Sequence, residues 1–285
     1  MSAQASLLPG NRLHLNHGPI DLVISADGEA TDVRRAYGVA AALFPNILPE
    51  LVAKLAVLRA PIGDVRPIVM NPIARRMVDA VWPYRGVFIT PMAAVAGAVA
   101  EHVLEMMVEA APLRRAIVNN GGDIAIHLAE GQSVRAGVVG DLSLPRMDAM
   151  IEIASSDPVR GVATSGWRGR SQSMGIADSV TVLAQTAAMS DAAATMIANE
   201  VNVEDPAIER LPASQVRDDT DLGDLLVTVA VGLLSSQQVA QALENGARRA
   251  AELQARGLIT AAYLQLQGQV RVVGANDLTV PSRAA

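Results

Sequence analysis

A short polar turn between two apolar segments is the first candidate for chemistry. It consists of Asn119, Asn120, Gly121, Gly122 and Asp123. Two consecutive glycines let the backbone approach a phosphate or a ring edge, and the carboxylate of Asp123 can accept hydrogen bonds from a sugar or heterocycle. The same residues favour the positive φ angles of a tight β-hairpin, and spacing alone favours that hairpin over a ligand-binding loop.

A carboxylate and a hydroxyl four residues apart form the second candidate. Asp191 and Thr195 are predicted to lie on one face at the start of a helix over 190–200. Together they could bind a hard cation such as Mg²⁺, which prefers oxygen ligands and keeps waters for phosphate oxygens. The alternative is an aspartate in the first helical turn that only complements the helix dipole, and the segment taken alone favours this alternative.

A third polar segment begins at the end of a predicted strand over 160–164. It contains Thr164, Ser165, Gly166, Arg168, Arg170, Ser171 and Ser173. Hydroxyls, guanidinium groups and glycines are typical of a phosphate-binding loop and equally of a solvated turn. The sequence does not decide between these two interpretations.

Candidates for a catalytic base are His17, Asp123 and Asp178. His17 precedes the first predicted strand and could reach a cleft, although a lone histidine is more often structural. The four histidines lack metal-ligand spacing, and the absence of cysteine excludes thiolate catalysis and zinc–thiolate sites. The sequence also lacks a P-loop, a nucleophile elbow and a dinucleotide-binding glycine motif.

The composition predicts a soluble, globular, cytoplasmic protein. Of 285 residues, 51% are apolar and 18% are charged, and the net charge is −6. An acidic surface does not release counterions from nucleic acid, which argues against a nucleic-acid partner. No segment has the roughly 20 apolar residues of a membrane span, and we predict no membrane association and no signal peptide.

The elements that must position these residues are helices and strands in blocks, which predicts an α+β fold with a mixed or antiparallel sheet. Thr90 and Pro91 predict the start of a long helix with Met92 on its apolar face and with small residues, including Gly97, on another face. Helices are also predicted over 32–43 and from Pro49 to Arg59, and 201–223 is predicted to be a surface excursion. We expect one domain over 12–274, with two lobes as an option, and a flexible tail over 275–285.

The order of these motifs resembles the ApbE family of FAD:protein FMN transferases over residues 86–200. The matching segments are the helix start near Pro91, then Ala116–Ile124, Ala163–Gly166, Ser179–Ala184 and Ser190–Thr195. These enzymes use Mg²⁺ to move FMN from FAD onto a threonine or serine of an acceptor flavoprotein. The segments His17–Asp21 and Leu264–Gly268 look more like an uncharacterised cytoplasmic prokaryotic UPF-type branch of that superfamily.

The resemblance implies that residues 119–123 contact FAD or FMN. We predict that the cofactor site also includes Thr90, Met92, Thr164–Gly166, Ser171 and Ser173. The resemblance also implies that Asp191 and Thr195 hold Mg²⁺ together with a backbone carbonyl near Val95. Asp178 and His17 are the catalytic candidates of the enzyme hypothesis. The expected partners are a nucleotide and a flavoprotein acceptor. The small-residue helix face could equally pack against a twin subunit in a homodimer.

The sequence also departs from the family. Ala96 replaces a lysine of the family's helix-start motif, and the family's His-x-x-Asp-Pro-x-Thr-Gly segment is absent between Gly166 and Ser179. Two alternatives therefore stay open beside an FMN transferase. One is a non-catalytic flavin carrier or maturation partner, and the other is the same scaffold acting on a small aromatic acid whose carboxylate pairs with Arg168 or Arg170.

Overall fold

Alternation of apolar and polar residues builds many of the strands of this protein. In β2 (Arg12–His17) and β4 (Arg115–Asn120), every second side chain is buried. The computed structural model describes residues 2–138, 149–169 and 171–274. Within them, antiparallel strand pairs and packed helices form an α+β fold, which confirms the predicted class.

The chain divides into two compact units. The first comprises Met1–Ser133, Ala154–Ala163 and Ala184–Ala192, and the second comprises Val134–Ile153, Thr164–Leu183 and Ala193–Ala285. Along the chain, the boundary between the units falls within strand β8 (Gly161–Ser165) and within helix α5 (Ala187–Glu200). The predicted tail at 275–285 lies outside the described residues.

The strands of the first unit are arranged in the order β1-β2-β3-β4-β5-β8. The bounds not yet given are β1 (Gln4–Leu8), β3 (Ile20–Asp27) and β5 (Asp123–Leu128). Each of β2, β3, β4 and β5 pairs antiparallel with the next strand in this order. Four α-helices lie between β3 and β4 along the chain, and the polar turn joins β4 directly to β5.

The helices of the first unit include α4, and the 3₁₀ turn that leads into it begins at Pro91, where the sequence predicted a helix start. The helices are α1 (Ala30–Val52), α2 (Leu55–Leu58), α3 (Pro72–Val81) and α4 (Val95–Ala110), with 3₁₀ turns at Trp82–Tyr84 and Pro91–Ala94. The hydroxyl of Thr90 accepts a hydrogen bond from the backbone N–H of Met92 at 3.2 Å, which caps the 3₁₀ turn leading into α4. Helix α4 packs against α1, β4 and β5.

The second unit contains three groups of strands and two further helices. The strand groups are β6 (Ser133–Val138) with β7 (Ala149–Ala154), β10 (Ile208–Pro212) with β11 (Leu226–Val231), and β9 (Ser179–Ala184), β12 (Ala261–Leu266) and β13 (Gln269–Val273) in that order. The helices are α6 (Ala213–Val216) and α7 (Ser236–Ala255). All residues of β9 and β12 are buried, so these strands form the core against which α7 packs.

Several elements differ from the sequence prediction. Helix α1 runs through Pro45 and Pro49, whereas a break was expected there. Phe44, Ile47 and Leu51 are buried along the same helix, and their packing offsets the backbone hydrogen bonds that the prolines remove. The N-terminal strands β1 and β2 were not predicted, and strand β10 lies in the expected surface excursion.

Among the described residues, one helical span has the length and composition of a membrane-crossing helix. It is Pro91–Ala110, with 20 residues and a hydropathy of 1.3. Half of its apolar window is buried inside the protein, and the core helix of a water-exposed fold has the same character. The span is therefore weak support for a membrane helix.

Candidate functional site

The N-terminal turn of α4 is the place where distant polar residues of the first unit meet. The amide of Asn120 donates a hydrogen bond from Nδ2 to the carbonyl of Ala96 at 3.1 Å. The backbone N–H of Gly97 donates to Oδ2 of Asp191 at 2.9 Å. The end of β4 and the beginning of α5 therefore both contact Ala96 and Gly97, two consecutive residues at the start of α4. The flavin and metal contacts of residues 119–123 and 191 stay predictions.

A missing side chain at Gly97 makes this convergence possible. A Cβ atom built there would lie 2.3 Å from the carbonyl oxygen of Ala187 and 2.9 Å from the backbone nitrogen of Ala188. Both neighbours are backbone atoms of α5, so they cannot rotate away. The small-residue face of α4 was predicted to admit a strand, a ligand or a twin subunit, and at Gly97 it admits the start of α5.

Asp191 is a carboxyl group in an unfavourable electrostatic environment. Desolvation by the surrounding protein atoms raises its pKa well above the usual value, although part of the residue still contacts solvent. The negative charge of Asp123 raises the pKa further, and hydrogen bonds from the backbone N–H groups of Gly97 and Ala96 lower it. Asp123 and Asp191 therefore lie close enough for like-charge repulsion.

The position of Asp191 in its helix differs from the simplest expectation. Helix α5 begins at Ala187, three residues before the predicted start, and Thr186 accepts a hydrogen bond from the backbone N–H of Met189 at 3.2 Å. Asp191 is thus the fifth helical residue, so the interpretation as a first-turn aspartate is wrong. Its carboxylate instead serves the N-terminus of a different helix, α4.

The turn between β4 and β5 is a two-residue hairpin. Asn120 pairs with Asp123 across the ladder, and φ is +64° at Gly121 and +115° at Gly122. Oδ1 of Asn119 accepts a hydrogen bond from the backbone N–H of Gly122 at 2.8 Å. No atom lies within 4 Å of a Cβ built at Gly122, so the backbone is open to an approaching molecule at this position.

Three other predicted site residues of the first unit are buried or only partly exposed. Thr90 is buried as the helix cap, and Met92 is partly exposed in the following 3₁₀ turn. His17 is buried at the end of β2, and its ring makes an edge contact with Phe44 at a centroid distance of 6.3 Å. A role of His17 as a base stays a prediction.

In the second unit, the polar residues near β8 contact one another. The hydroxyls of Thr164 and Thr181 form a hydrogen bond of 2.8 Å. Ser165 is partly exposed beside it, and a Cβ built at Gly166 would lie 2.5 Å from the carbonyl oxygen of Asp178. Gly166 is therefore required for close backbone packing, whatever else it contacts.

The predicted phosphate-binding loop contains one exposed and one buried serine. Ser171 is exposed, whereas Ser173 is buried and its hydroxyl lies 3.4 Å from Oδ1 of Asn199 and accepts from the backbone N–H of Gly175 at 3.2 Å. Its carbonyl accepts from the backbone N–H of Thr228 at 2.8 Å. Ser173 thus fastens the loop to its own unit, and Arg170 lies outside the described residues.

Asp178 is engaged by two neighbours. Oδ1 accepts from Nε of Arg168 at 2.9 Å, and Oδ2 accepts from the backbone N–H of Gln267 at 2.6 Å, in the turn between β12 and β13. The guanidinium of Arg168 also stacks on the ring of Trp167 at 4.8 Å. These contacts give Asp178 a structural role, while its proposed catalytic role stays a prediction.

Asp191 and Thr195 carry the kind of oxygen ligand that Mg²⁺ prefers, and a magnesium site there stays a prediction. Thr195 lies one helical turn after Asp191 on α5, and the charge of Asp123 acts on Asp191 as described above. Mg²⁺ is commonly held by one or two carboxylates, with waters and phosphate oxygens completing its shell. Among the described residues no group of three or more histidine, aspartate or glutamate residues could hold a metal, so this donor set requires a hydroxyl, a carbonyl or a ligand oxygen.

Two open concave surfaces among the described residues are not lined by any predicted site residue. One of about 280 Å³ in the first unit is lined by Arg66, Pro67, Ile68, Val69, Arg75, Val78 and Asp79. The other, of about 630 Å³ in the second unit, is lined by Met174, Asn199, Glu200, Asn202, Asn245, Arg248, Arg249 and Glu252. Concavity alone would place a ligand there. We give more weight to the partly exposed carboxylates Asp123 and Asp191, because ionisable groups with a strongly shifted pKa cluster at functional sites.

Sequence reasoning missed Glu101 and Arg76. Oε2 of Glu101 accepts a hydrogen bond from the backbone N–H of Ala188 at 3.3 Å, and Arg76 of α3 forms ion pairs with Glu101 and Glu105. The spacing of Glu101 and Glu105 by four residues indicates a shared helix face. Nothing in the sequence indicates that Glu101 reaches a helix 87 residues later.

Known relatives match most of this chain. A family model described as AbpE bacteria matches residues 4–272. The UPF0280 protein of Methanopyrus kandleri is 35% identical over 214 residues, which is 74% of this chain and 82% of the relative. The UPF0280 protein of Methanosarcina acetivorans is 38% identical over 138 residues, or 48% of this chain, and there the chain spans about half (52%) of the relative's length.

Solved structures share the fold. The ApbE protein of Thermotoga maritima superposes with a TM-score of 0.52 at 13% identity, covering 94% of this chain and 96% of that one. The flavin transferase ApbE of Vibrio cholerae, as an H257G mutant, gives a TM-score of 0.50 at 11% identity, covering 93% and 98%. At these identities the likeness concerns the fold alone.

Proposed function

The chain belongs to the family described as AbpE bacteria, and on that premise we propose that it binds a flavin nucleotide and transfers FMN from FAD in a Mg²⁺-dependent reaction. The proposed flavin-binding residues of the first unit are Thr90, Met92 and Asn119–Asp123. Those of the second unit are Thr164–Gly166, Ser171 and Ser173. Asp191 and Thr195 are the proposed magnesium ligands on α5.

One observation carries this proposal: Asn120 of the hairpin and Asp191 of α5 both form hydrogen bonds with the first residues of α4. The negative charge of Asp123, which follows the hairpin, also acts on Asp191. Two like charges near each other, one of them desolvated, lower the stability of the folded protein. Such arrangements are found most often at functional sites. A divalent cation would compensate both charges, and no positively charged partner of Asp191 is among its described contacts. The hairpin beside them is open at Gly122, which leaves the backbone accessible to a nucleotide.

Bound magnesium would neutralise negative charge that develops on the pyrophosphate of FAD. Backbone groups of the protein hold the side chains of the proposed site in fixed orientations. The backbone N–H of Gly97 fixes one oxygen of Asp191, and the carbonyl of Ala96 fixes the amide of Asn120. Both carboxylates are held on helix and strand ends rather than on long loops, which favours a fixed geometry.

The experiment is to incubate the purified protein with FAD and Mg²⁺, with and without candidate acceptor flavoproteins, and to measure AMP release. We expect release that requires Mg²⁺ and is reduced at least about a hundredfold by Asp191→Asn, since loss of a metal ligand removes charge stabilisation. Thr195→Val should weaken the response to Mg²⁺ in the same direction. Asp64→Ala, which removes an exposed carboxylate from a loop, is the control and should leave AMP release unchanged.

The result that contradicts a transferase is intact FAD under every condition, or AMP release that Asp191→Asn leaves unchanged. The acceptor is expected to offer a threonine or serine, and its identity would follow from mass spectrometry of the flavinylated peptide. A cytoplasmic location and a homodimer are further predictions, which cell fractionation and light scattering would test.

A flavin carrier or maturation partner is the second candidate. The observation that favours it is the Ser171–Asp178 loop, which replaces the family's His-x-x-Asp-Pro-x-Thr-Gly segment. This loop is fastened within the second unit through Ser173 and through Gly175, where a Cβ would lie 2.0 Å from the carbonyl oxygen of Ala198. A carrier would bind FAD or FMN and return it intact, so a flavin retained in native mass spectrometry together with no AMP release in the assay above would indicate the carrier.

The structure gives less support to a small aromatic acid as substrate. Arg168, one of the two arginines expected to pair with its carboxylate, already pairs with Asp178. A titration with FAD and with benzoate as an aromatic-acid probe would compare the two ligand classes directly.

A further inference from the structure

A carboxylate from each of the helices α4 and α5 binds a backbone N–H near the N-terminus of the other helix. Asp191 of α5 accepts a hydrogen bond from Gly97 at the start of α4, and Glu101 of α4 accepts one from Ala188 at the start of α5. The first N–H groups of a helix lack partners within the helix, and a carboxylate there also complements the helix dipole. Each helix therefore stabilises the beginning of the other.

Glu101 is held in place by a neighbour on a third helix. Arg76 of α3 pairs with Glu101 through one guanidinium nitrogen and with Glu105 through another. The side chains of Arg76 and Glu101 are 24% and 18% exposed, so this part of the network is largely shielded from solvent. A planar guanidinium that contacts two carboxylates restricts the rotamers of both.

The contact with Glu101 lies in the first turn of α5, about one helical turn before Asp191. The hydroxyl of Thr186 already accepts from Met189, so Glu101 provides the hydrogen bond for the preceding amide, Ala188. Asp191 follows Ala188 by three residues, or about one helical turn. Rotation or fraying of α5 at Ala188 would therefore displace the carboxylate of Asp191.

We infer that Glu101 is a positioning residue that fixes the start of α5 and thereby sets the affinity of Asp191 for a divalent cation. This inference rests on the proposed function for its metal part. Its structural part, the ordering of the amide of Ala188, does not depend on any ligand. Glu101 itself needs no contact with metal or flavin.

The test uses three variants of the full chain. Glu101→Ala removes the acceptor for Ala188, and Glu101→Gln keeps an acceptor oxygen while removing the charge. Glu105→Gln is the matched control, because Glu105 also pairs with Arg76 but has no described hydrogen bond to α5. Two quantities are measured: the hydrogen-exchange rate of the Ala188 amide in metal-free protein, and the dissociation constant for Mn²⁺ as a probe of the magnesium site.

For Glu101→Ala we expect exchange of the Ala188 amide to accelerate at least about tenfold, and the Mn²⁺ dissociation constant to rise about 10- to 100-fold, as is usual when a residue that orients a ligand is removed. Glu101→Gln should restore both quantities to within about threefold of the native protein, because a neutral acceptor still satisfies the amide. Glu105→Gln should leave both unchanged.

The inference is overturned if Glu101→Ala leaves amide exchange and Mn²⁺ affinity unchanged, or if Glu105→Gln changes them as much. Faster exchange with an unchanged Mn²⁺ constant would overturn the positioning role and leave a purely structural cap. If the native protein binds no Mn²⁺, the proposed metal site fails, and the exchange data still decide whether Glu101 orders the start of α5.

Discussion

The two polar regions of this protein differ in whether a positively charged neighbour compensates the charge of an aspartate. At the start of α4, Asp191 receives backbone hydrogen bonds while the charge of Asp123 opposes its ionisation. In the second unit, Asp178 receives an arginine on one oxygen and a backbone N–H on the other. The first carboxylate is anchored but not neutralised, whereas the second is both anchored and neutralised.

We propose that this difference separates a residue that binds a ligand from a residue that stabilises the fold. A carboxylate whose charge is matched within the protein gains little from a cation, and its loss is felt as stability. A carboxylate held next to another one lowers stability until a cation arrives. We therefore expect substitutions in the second unit to change unfolding, and substitutions at Asp191 to change ligand binding.

The largest effect is expected where the two helices of the first region touch. Gly97→Ala would place a methyl group 2.3 Å from a backbone oxygen of α5, and we expect a loss of about 3 kcal/mol or more in the free energy of unfolding. Gly38→Ala in α1 is the control, because no atom lies within 4 Å of its Cβ position. It should stabilise the protein by roughly 0.5–1 kcal/mol, as alanine does in a helix. Equal effects in urea denaturation would contradict the close contact.

The next effect concerns the neutralised carboxylate. Asp178→Ala removes the partner of Arg168 and of the Gln267 amide, and we expect a loss of about 2 kcal/mol, since hydrogen bonds to a charged group contribute more than neutral ones. The pair with Arg168 is partly exposed and adds little of this. Flavin affinity of the folded variant should stay near native. A stable variant that has lost AMP release would instead support a catalytic role for Asp178.

The sequence predicted those features that depend on neighbouring residues. The helical start at Pro91 that leads into α4 follows from Thr90 and Pro91, and the hairpin follows from Gly121 and Gly122, because caps and tight turns are local. The contact between Gly97 and Ala187 was not predictable, since it joins helices that are 90 residues apart and depends on how they pack. The break expected at Pro45 failed for the same reason: burial along α1 outweighed a local rule.

Asp191→Asn tests the opposed carboxylate through pH. The folded state raises the pKa of Asp191, so it binds this proton more tightly than the unfolded state does, and metal-free stability falls as pH rises above the unfolded value of about 4. The loss continues until pH passes the folded pKa and amounts to about 1.4 kcal/mol for each unit of the shift. Asparagine keeps an acceptor for Gly97 without the charge.

We therefore expect metal-free Asp191→Asn to be as stable as the native protein near pH 4 and more stable at pH 7 and above. Urea denaturation in chelator across this range measures the difference. Addition of Mg²⁺ with FAD should stabilise the native protein and not the variant. A difference that does not depend on pH would show that Asp191 ionises normally.

The smallest effects distinguish the exposed from the buried serine of the second unit. Ser173→Ala leaves the backbone N–H of Gly175 without its acceptor and should cost about 1 kcal/mol, with FAD affinity little changed. Ser171→Ala is the same chemical change at an exposed position, so stability should stay within about 0.5 kcal/mol. If Ser171 contacts the nucleotide, its FAD dissociation constant should rise about fivefold, the usual effect of one lost hydrogen bond. Urea denaturation and flavin fluorescence titration measure the two quantities on the same samples. An unchanged dissociation constant for Ser171→Ala would remove this serine from the flavin site and leave the polar residues of the second unit with a structural role.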